Sequence, residues 1–123
     1  KQACRVGHYC SDLDGLYTPY VVPQENGNRT DVRWVALTDV YGDGLLATGE
    51  SLFNFSAHRY TTEDLERARH TNELQKRNYV VLHLDYQQNG IGCASCGPGV
   101  LPQHQLTAEP FDFRLKLRAG NVG

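Results

Sequence analysis

Apolar and polar positions alternate most regularly near the end of the chain. There Phe111, Phe113, Leu115 and Leu117 are interleaved with Asp112, Arg114, Lys116 and Arg118. A period of two puts the four apolar side chains on one face and the four charges on the other, which predicts a half-exposed antiparallel strand. Tyr79–Asp85 predicts another, with Val80, Leu82 and Leu84 on one face and His83 on the other. In Val32–Asp39 the apolar residues fall on both faces, Val32, Trp34 and Ala36 against Val35 and Leu37. That is the pattern of a central strand covered on both sides. Leu45–Thr48 and Leu52–Phe55, separated by Gly49-Glu50-Ser51, predict two further short strands.

The turns between these runs are written in residues that bend the backbone. Pro19 and Pro23 push Thr18 and Val22 toward extended geometry, and Asn26-Gly27 is a strong signal for a turn with positive φ. Tyr41-Gly42-Asp43-Gly44 marks a second turn, leading as a hairpin into Leu45. A single segment has helical character. Thr61 or Thr62 caps it, Glu63 and Asp64 sit in a first turn where they favour the helix dipole, and Glu63 and Arg67 stand four apart. Leu65 and Ala68 offer only a thin apolar stripe, so a short surface helix is expected near 62–70, with His70 near its end as a capping or solvated side chain. Residues 1–16 show no clean period and read as an irregular or edge segment. Short strands with turns every eight to twelve residues predict an all-β domain, an antiparallel β-sandwich.

Composition narrows the function classes. One hundred and twenty-three residues correspond to one domain, or part of one, spanning 1–123. Forty per cent hydrophobic residues suffice for a packed core, and a net charge of −2 gives no bulk attraction for nucleic acid or an anionic membrane. No apolar run approaches the roughly 20 residues of a membrane-spanning helix. The chain contains no methionine, even at position 1, so a processed product or, in preference, a piece of a longer chain is expected.

Four cysteines fall into two pairs, Cys4 with Cys10 and Cys93 with Cys96. The Cys93-x-x-Cys96 spacing suits zinc, with His8 or His104 as substitute ligands, but Cys4-x5-Cys10 is wider than a usual knuckle. A disulfide requires an oxidising compartment, so free thiols are the preferred reading. The loop from Asn89 to Val100 is rich in glycine, which permits close backbone approach. Its Gly-x-Gly neither reaches a third glycine nor opens a helix, so a phosphate cradle is disfavoured; glycine and proline also account for it as a plain structural turn. Hydrolysis by a pair of carboxylates needs the two held about 5 Å apart. Glu25, Asp43, Glu63, Asp64, Asp85 and Asp112 are dispersed among turns, a helix start and strand ends, and each has an ordinary structural role. No Ser-His-Asp or Cys-His arrangement stands at a suggestive spacing. Autonomous catalysis is not expected.

Pro19–Trp34, PYVVPQENGNRTDVRW, closely resembles the C-terminal, small-chain region of large β-galactosidases of glycoside hydrolase family 2. The resemblance continues through Phe53-Asn54-Phe55-Ser56, Arg59-Tyr60-Thr61-Thr62-Glu63-Asp64-Leu65, His70-Thr71 and Asp85–Gly92. It is weakest over residues 1–16 and the last few. It implies a sandwich of the galactose-mutarotase-like, supersandwich type. It also implies a non-catalytic accessory domain of a retaining enzyme that hydrolyses terminal β-D-galactosides such as lactose. The parent would be the enzyme, its two catalytic glutamates in an upstream barrel together with magnesium and sodium, and this part would hold no cofactor. The barrel would be the domain's partner, with the β-galactoside at the boundary. In the family the loop matching residues 90–100 reaches the mouth of the active site, and one branch places a stacking tryptophan just before the proline. Cys96 holds that position here, in a loop one residue shorter, so Ser95, Cys96 and Gly97 would line the sugar pocket by shape. A cytoplasmic location is expected, so the Asn-x-Ser/Thr triplets at Asn28 and Asn54 carry no glycan reading. Exposed strand edges would favour self-association into a homo-oligomer. The alternative function is a free-standing carbohydrate-binding or interaction module presenting Trp34 or several tyrosines.

Overall fold

The computed structural model describes residues 5–90 and 97–123. Among them, strands β1 (Arg29–Thr38), β2 (Asp43–His58), β3 (Val81–Asp85) and β4 (Leu115–Asn121) form one four-stranded sheet in which β2 pairs with each of the other three. Two short helices, α1 (Leu13–Leu16) and α2 (Thr62–Arg67), and 3-10 turns at Thr71–Glu73 and Pro102–His104 complete the elements. The protein is therefore all-β, as its sequence pattern predicts. The chain divides into two compact units, Lys1–Val32 with Asn54–Leu84, and Arg33–Phe53 with Asp85–Gly123.

In the first unit, α2 follows its sequence signals closely. Thr61 is the N-cap: its hydroxyl accepts from the Asp64 amide at 3.1 Å, and the Asp64 carboxylate accepts from the Thr61 amide at 3.1 Å. This reciprocal pair satisfies two donors that a helix start leaves open. Leu65 and Ala68 are the buried stripe, at 1% and 6% exposure. Two details differ from expectation. Arg67 pairs with Asp64 at 3.3 Å rather than with Glu63, and the helix stops at Arg67, leaving His70 outside it, where its ring bonds Glu73 at 3.1 Å. The expected bend at Asn26-Gly27 is present, with Gly27 at φ +72°. A Cβ there would meet the Leu16 carbonyl oxygen at 2.5 Å and the His58 ring at 3.0 Å, so the site requires glycine for space as well as for φ. Residues before the bend are less irregular than expected, because Asp12 caps the single turn α1 by accepting from the Gly15 amide.

The second unit holds the turn end of the β1–β2 hairpin, Arg33–Phe53, and β4. Asp39 organises the turn, its Oδ1 accepting from the amides of Tyr41 and Asp43 at 2.8 and 3.0 Å. Three strand expectations are corrected. β2 runs unbroken from Asp43 to His58, through the Gly49-Glu50-Ser51 stretch expected to divide it. Glycine permits this passage: a Cβ on Gly49 would stand 2.8 Å from the Phe53 ring and 2.2 Å from the Ser51 carbonyl oxygen. β1 is not the central strand, since β2 holds that place, and of its apolar residues only Val35 is buried while Trp34 is 46% exposed. Asp31, near the start of β1 and in the first unit, sits at φ +58°. The last strand begins at Leu115 rather than Phe111. Its register sets Leu115 against Gly49, Leu117 against Ala47 and Ala119 against Leu45.

Candidate functional site

The expected sugar-side residues follow β3 in sequence. Ser95 and Cys96 lie outside the described residues, and Gly97 is exposed in a bend. On either side of them the second unit builds a two-chain stem from sequence-distant residues. Asn89 Oδ1 accepts from the Leu106 amide, 17 residues on, at 3.0 Å. Gly90 lies against Val100, whose Cγ2 is 3.8 Å from where a Cβ on the glycine would stand. Gln105 Nε2 donates to the Val100 carbonyl at 3.2 Å, beside the 3-10 turn closed by the His104 amide and the Leu101 carbonyl at 2.8 Å.

Below these bonds the stem is aromatic. Tyr86 and Phe111 stack with centroids 4.9 Å apart and planes within 5°, and Phe113 leans on Tyr86 at 5.8 Å and 53°. The offset-stacked geometry suits two rings with like quadrupoles. Beside the rings in sequence stand two polar pairs: Gln88 Nε2 donates to Asp85 Oδ2 at 2.9 Å, and the Arg114 guanidinium donates to both oxygens of Asp112 at 3.2 and 2.7 Å. Sequence reasoning passed over this stem, because each half shows only a strand-like or turn-like pattern and nothing local pairs Asn89 with Leu106 or Tyr86 with Phe111.

The carboxylates of the first unit have structural partners. Asp64, 5% exposed, takes a two-pronged pair from Arg77, Nη2 to Oδ1 at 2.6 Å and Nε to Oδ2 at 2.8 Å. Hydrogen bonds from Arg77, then the Thr61 amide, hold its carboxyl well below the usual carboxylate range, and the same pair pushes the Arg77 guanidinium up. Asp14 receives Lys76 Nζ on both oxygens at 2.8 Å, which lowers its carboxyl. Glu25 accepts from the Thr62 hydroxyl at 2.7 Å. Glu73 accepts from the Arg69 amide at 3.0 Å and the His70 ring, and both lower it. A general acid needs a carboxyl held up near neutrality. The shifts here run the other way.

The buried His58 is also committed to the fold. Its Nε2 lies 2.7 Å from the Asn26 carbonyl oxygen, and since a carbonyl only accepts, Nε2 carries the proton. Tyr17 meets the ring edge-on at 5.9 Å. Cys10 is free and exposed, and Cys4, Cys93 and Cys96 lie outside the described residues. Among the described residues, no group of three or more His, Cys, Asp or Glu is placed to hold a metal ion.

Comparison with known proteins places this arrangement. The family model described as "Beta galactosidase small chain" matches residues 1–117. The chain is 37% identical over 118 residues to a β-galactosidase of Vibrio cholerae serotype O1, covering 95% of this chain and 11% of that one. It is 34% identical over 121 residues to a β-galactosidase of Pseudoalteromonas haloplanktis, covering 98% and 11%. A β-galactosidase of Actinobacillus pleuropneumoniae is 34% identical over 112 residues, covering 91% and 11%. The chain thus spans about a tenth of the length of these curated relatives. With the family model running from residue 1 to residue 117, the chain belongs to the β-galactosidase small-chain family.

Proposed function

We propose that this chain is a non-catalytic accessory domain of a retaining β-galactosidase of glycoside hydrolase family 2. The observation that carries the reading is the match over residues 1–117 to a β-galactosidase small chain, within relatives of which this chain covers only 11%. The carboxylates support it from the chemical side. Retaining hydrolysis needs a pair about 5 Å apart with one pKa raised, whereas Asp64, Asp14 and Glu73 are all lowered by structural partners. In this reading the two glutamates and the magnesium and sodium ions belong to the catalytic barrel of the parent. The stem fixed by Asn89–Leu106 and Tyr86–Phe111 presents the 90–100 loop to a terminal β-galactoside, and Ser95, Cys96 and Gly97 shape the pocket wall. The sheet is one layer of a larger sandwich, residues 1–123 are a part-domain of it, and the parent works in the cytoplasm. Uncovered strand edges favour pairing with a second copy; a clean monomer at high concentration in sedimentation would count against that part.

The test is a chromogenic β-galactoside assay on the chain alone and mixed with a barrel-containing partner chain. No activity alone and a gain on mixing are expected. Turnover by the chain alone would overturn the reading.

A further inference from the structure

We propose that Asn89-Gly90 is a modification site at which the asparagine deamidates through a succinimide, while the fold protects the same pair of residue types at Asn26-Gly27. Deamidation begins when the backbone nitrogen of the following residue, having lost its proton, attacks the asparagine Cγ. Glycine in that position leaves the nitrogen unshielded, and the sequence holds two Asn-Gly pairs, 26–27 and 89–90. The N–Cγ bond forms, the Cγ–Nδ2 bond breaks, and ammonia leaves with the proton that the nitrogen gave up. Water then opens the five-membered ring at either carbonyl, giving aspartate or isoaspartate.

The two pairs differ in what the attack must undo. At Asn26 both ends of the side-chain amide are held: Oδ1 accepts from the Thr18 amide at 2.8 Å, and Nδ2 donates to the Gln24 carbonyl at 3.0 Å. The buried His58 donates from Nε2 to the Asn26 carbonyl at 2.7 Å, fixing the peptide group whose nitrogen must turn toward Cγ. Gly27 is confined between the Leu16 carbonyl and the His58 ring. Asn89 and Gly90, by contrast, are both exposed. Among the described residues the Asn89 side chain is held by one bond, from the Leu106 amide to Oδ1 at 3.0 Å. Each Oδ1 thus has an amide donor to stabilise the negative charge that grows on it as Cγ is attacked; freedom to reach that geometry separates the two. The two products act differently on the Asn89–Leu106 clasp. Aspartate keeps an oxygen acceptor where Oδ1 stands. Isoaspartate routes the main chain through Cβ and Cγ and leaves a carboxylate one carbon shorter, so the bond to Leu106 is lost.

The 123-residue chain is incubated at mildly alkaline pH, in buffer and in urea, and digests are followed by mass spectrometry with fragmentation that separates isoaspartate from aspartate. In buffer Asn89 is expected to convert about tenfold faster than Asn26, or more. In urea, where the restraints of the fold are gone, the two rates are expected to converge. Gly90→Ala places a methyl at an ordinary contact distance from Val100, 3.8 Å, and is expected to slow conversion at Asn89 about tenfold. Equal rates at the two pairs in buffer, or an Asn89 that survives in buffer while converting in urea, overturn the proposal. Hydrogen exchange reads the clasp. The Leu106 amide is expected to stay protected in Asn89→Asp and to lose protection in the aged chain in proportion to its isoaspartate; protection retained in the isoaspartate form overturns that consequence. Neither result depends on the accessory-domain reading.

Discussion

Gly27 and Asp64 carry more of the first unit than their size suggests. Gly27 sits at φ +72° with the Leu16 carbonyl and His58 against the space a side chain would fill. Left-handed backbone costs a residue with a Cβ roughly 1–2 kcal/mol, so Gly27→Ala is expected to destabilise the chain by at least that much in urea unfolding, with the clash added. Asp64 is tied to Arg77, Arg67 and the Thr61 amide. Its folded pKa lies below the unfolded value of about 3.9, so its contribution is complete above that value and is lost as pH falls through it toward the folded pKa. The melting temperature is expected to fall below about pH 4, and Asp64→Asn to lower it at neutral pH while flattening that acid limb. A melt series from pH 2 to pH 7 on both proteins checks this. Gly27 was legible in the sequence because Asn-Gly is a local signal. Arg77 was not, because its partner lies 13 residues away and no pattern of spacing names it.

At the scale of elements, the start of α2 was readable, because its cap and acidic first turn lie within four positions, whereas its end at Arg67 falls three residues short of the expected one. Thr61→Ala removes the cap and is expected to cost about 1 kcal/mol. Leu65→Ala, at 1% exposure, is expected to cost about 2–5 kcal/mol by opening a cavity under the same helix. Equilibrium unfolding of the two variants should rank them in that order; a larger loss for Thr61→Ala would mean that the helix is held by its cap rather than its packing. The strands were legible in existence and less so in extent. The alternation of Phe111–Leu117 is real in sequence, yet Phe111 and Phe113 leave the ladder to stack on Tyr86, and only Leu115 onward pairs with β2. Apolar residues on both faces of β1 suggested burial on both sides. A strand's pattern records which faces can be covered, whereas its place in the sheet depends on which partners arrive.

For the molecule as a whole, the modest core is informative. The buried hydrophobic residues among those described are Val35, Ala47, Phe53, Ala57, Leu65 and Ala68, half of them alanines. Large apolar side chains stay outside in both units: Tyr20, Val21 and Val22 in the first, Leu101, Phe111 and Leu117 in the second. A contiguous exposed apolar run such as Tyr20-Val21-Val22 suits an interaction surface. This agrees with the accessory-domain proposal, in which the rest of a longer chain covers part of that surface. It makes a further expectation at this scale: the chain mixed with a barrel-containing partner should melt at a higher temperature than alone, since binding to the folded state stabilises it by mass action. Calorimetry on the mixture checks it, and coincident melts would count against association.

The amino-acid sequence by itself determined the all-β class, the turns at Gly27 and Tyr41–Gly44, a short capped helix near 62–70 and the family, because each rests on residues that act within a few positions or on long runs of matched sequence. Only the tertiary structure decided that β2 is one central strand, that Asp64 belongs to Arg77, and that Tyr86 stacks on Phe111. Those features are pairings between distant segments. Their stability comes from contacts that form when the chain closes on itself, and local pattern carries no record of which distant partner will be met.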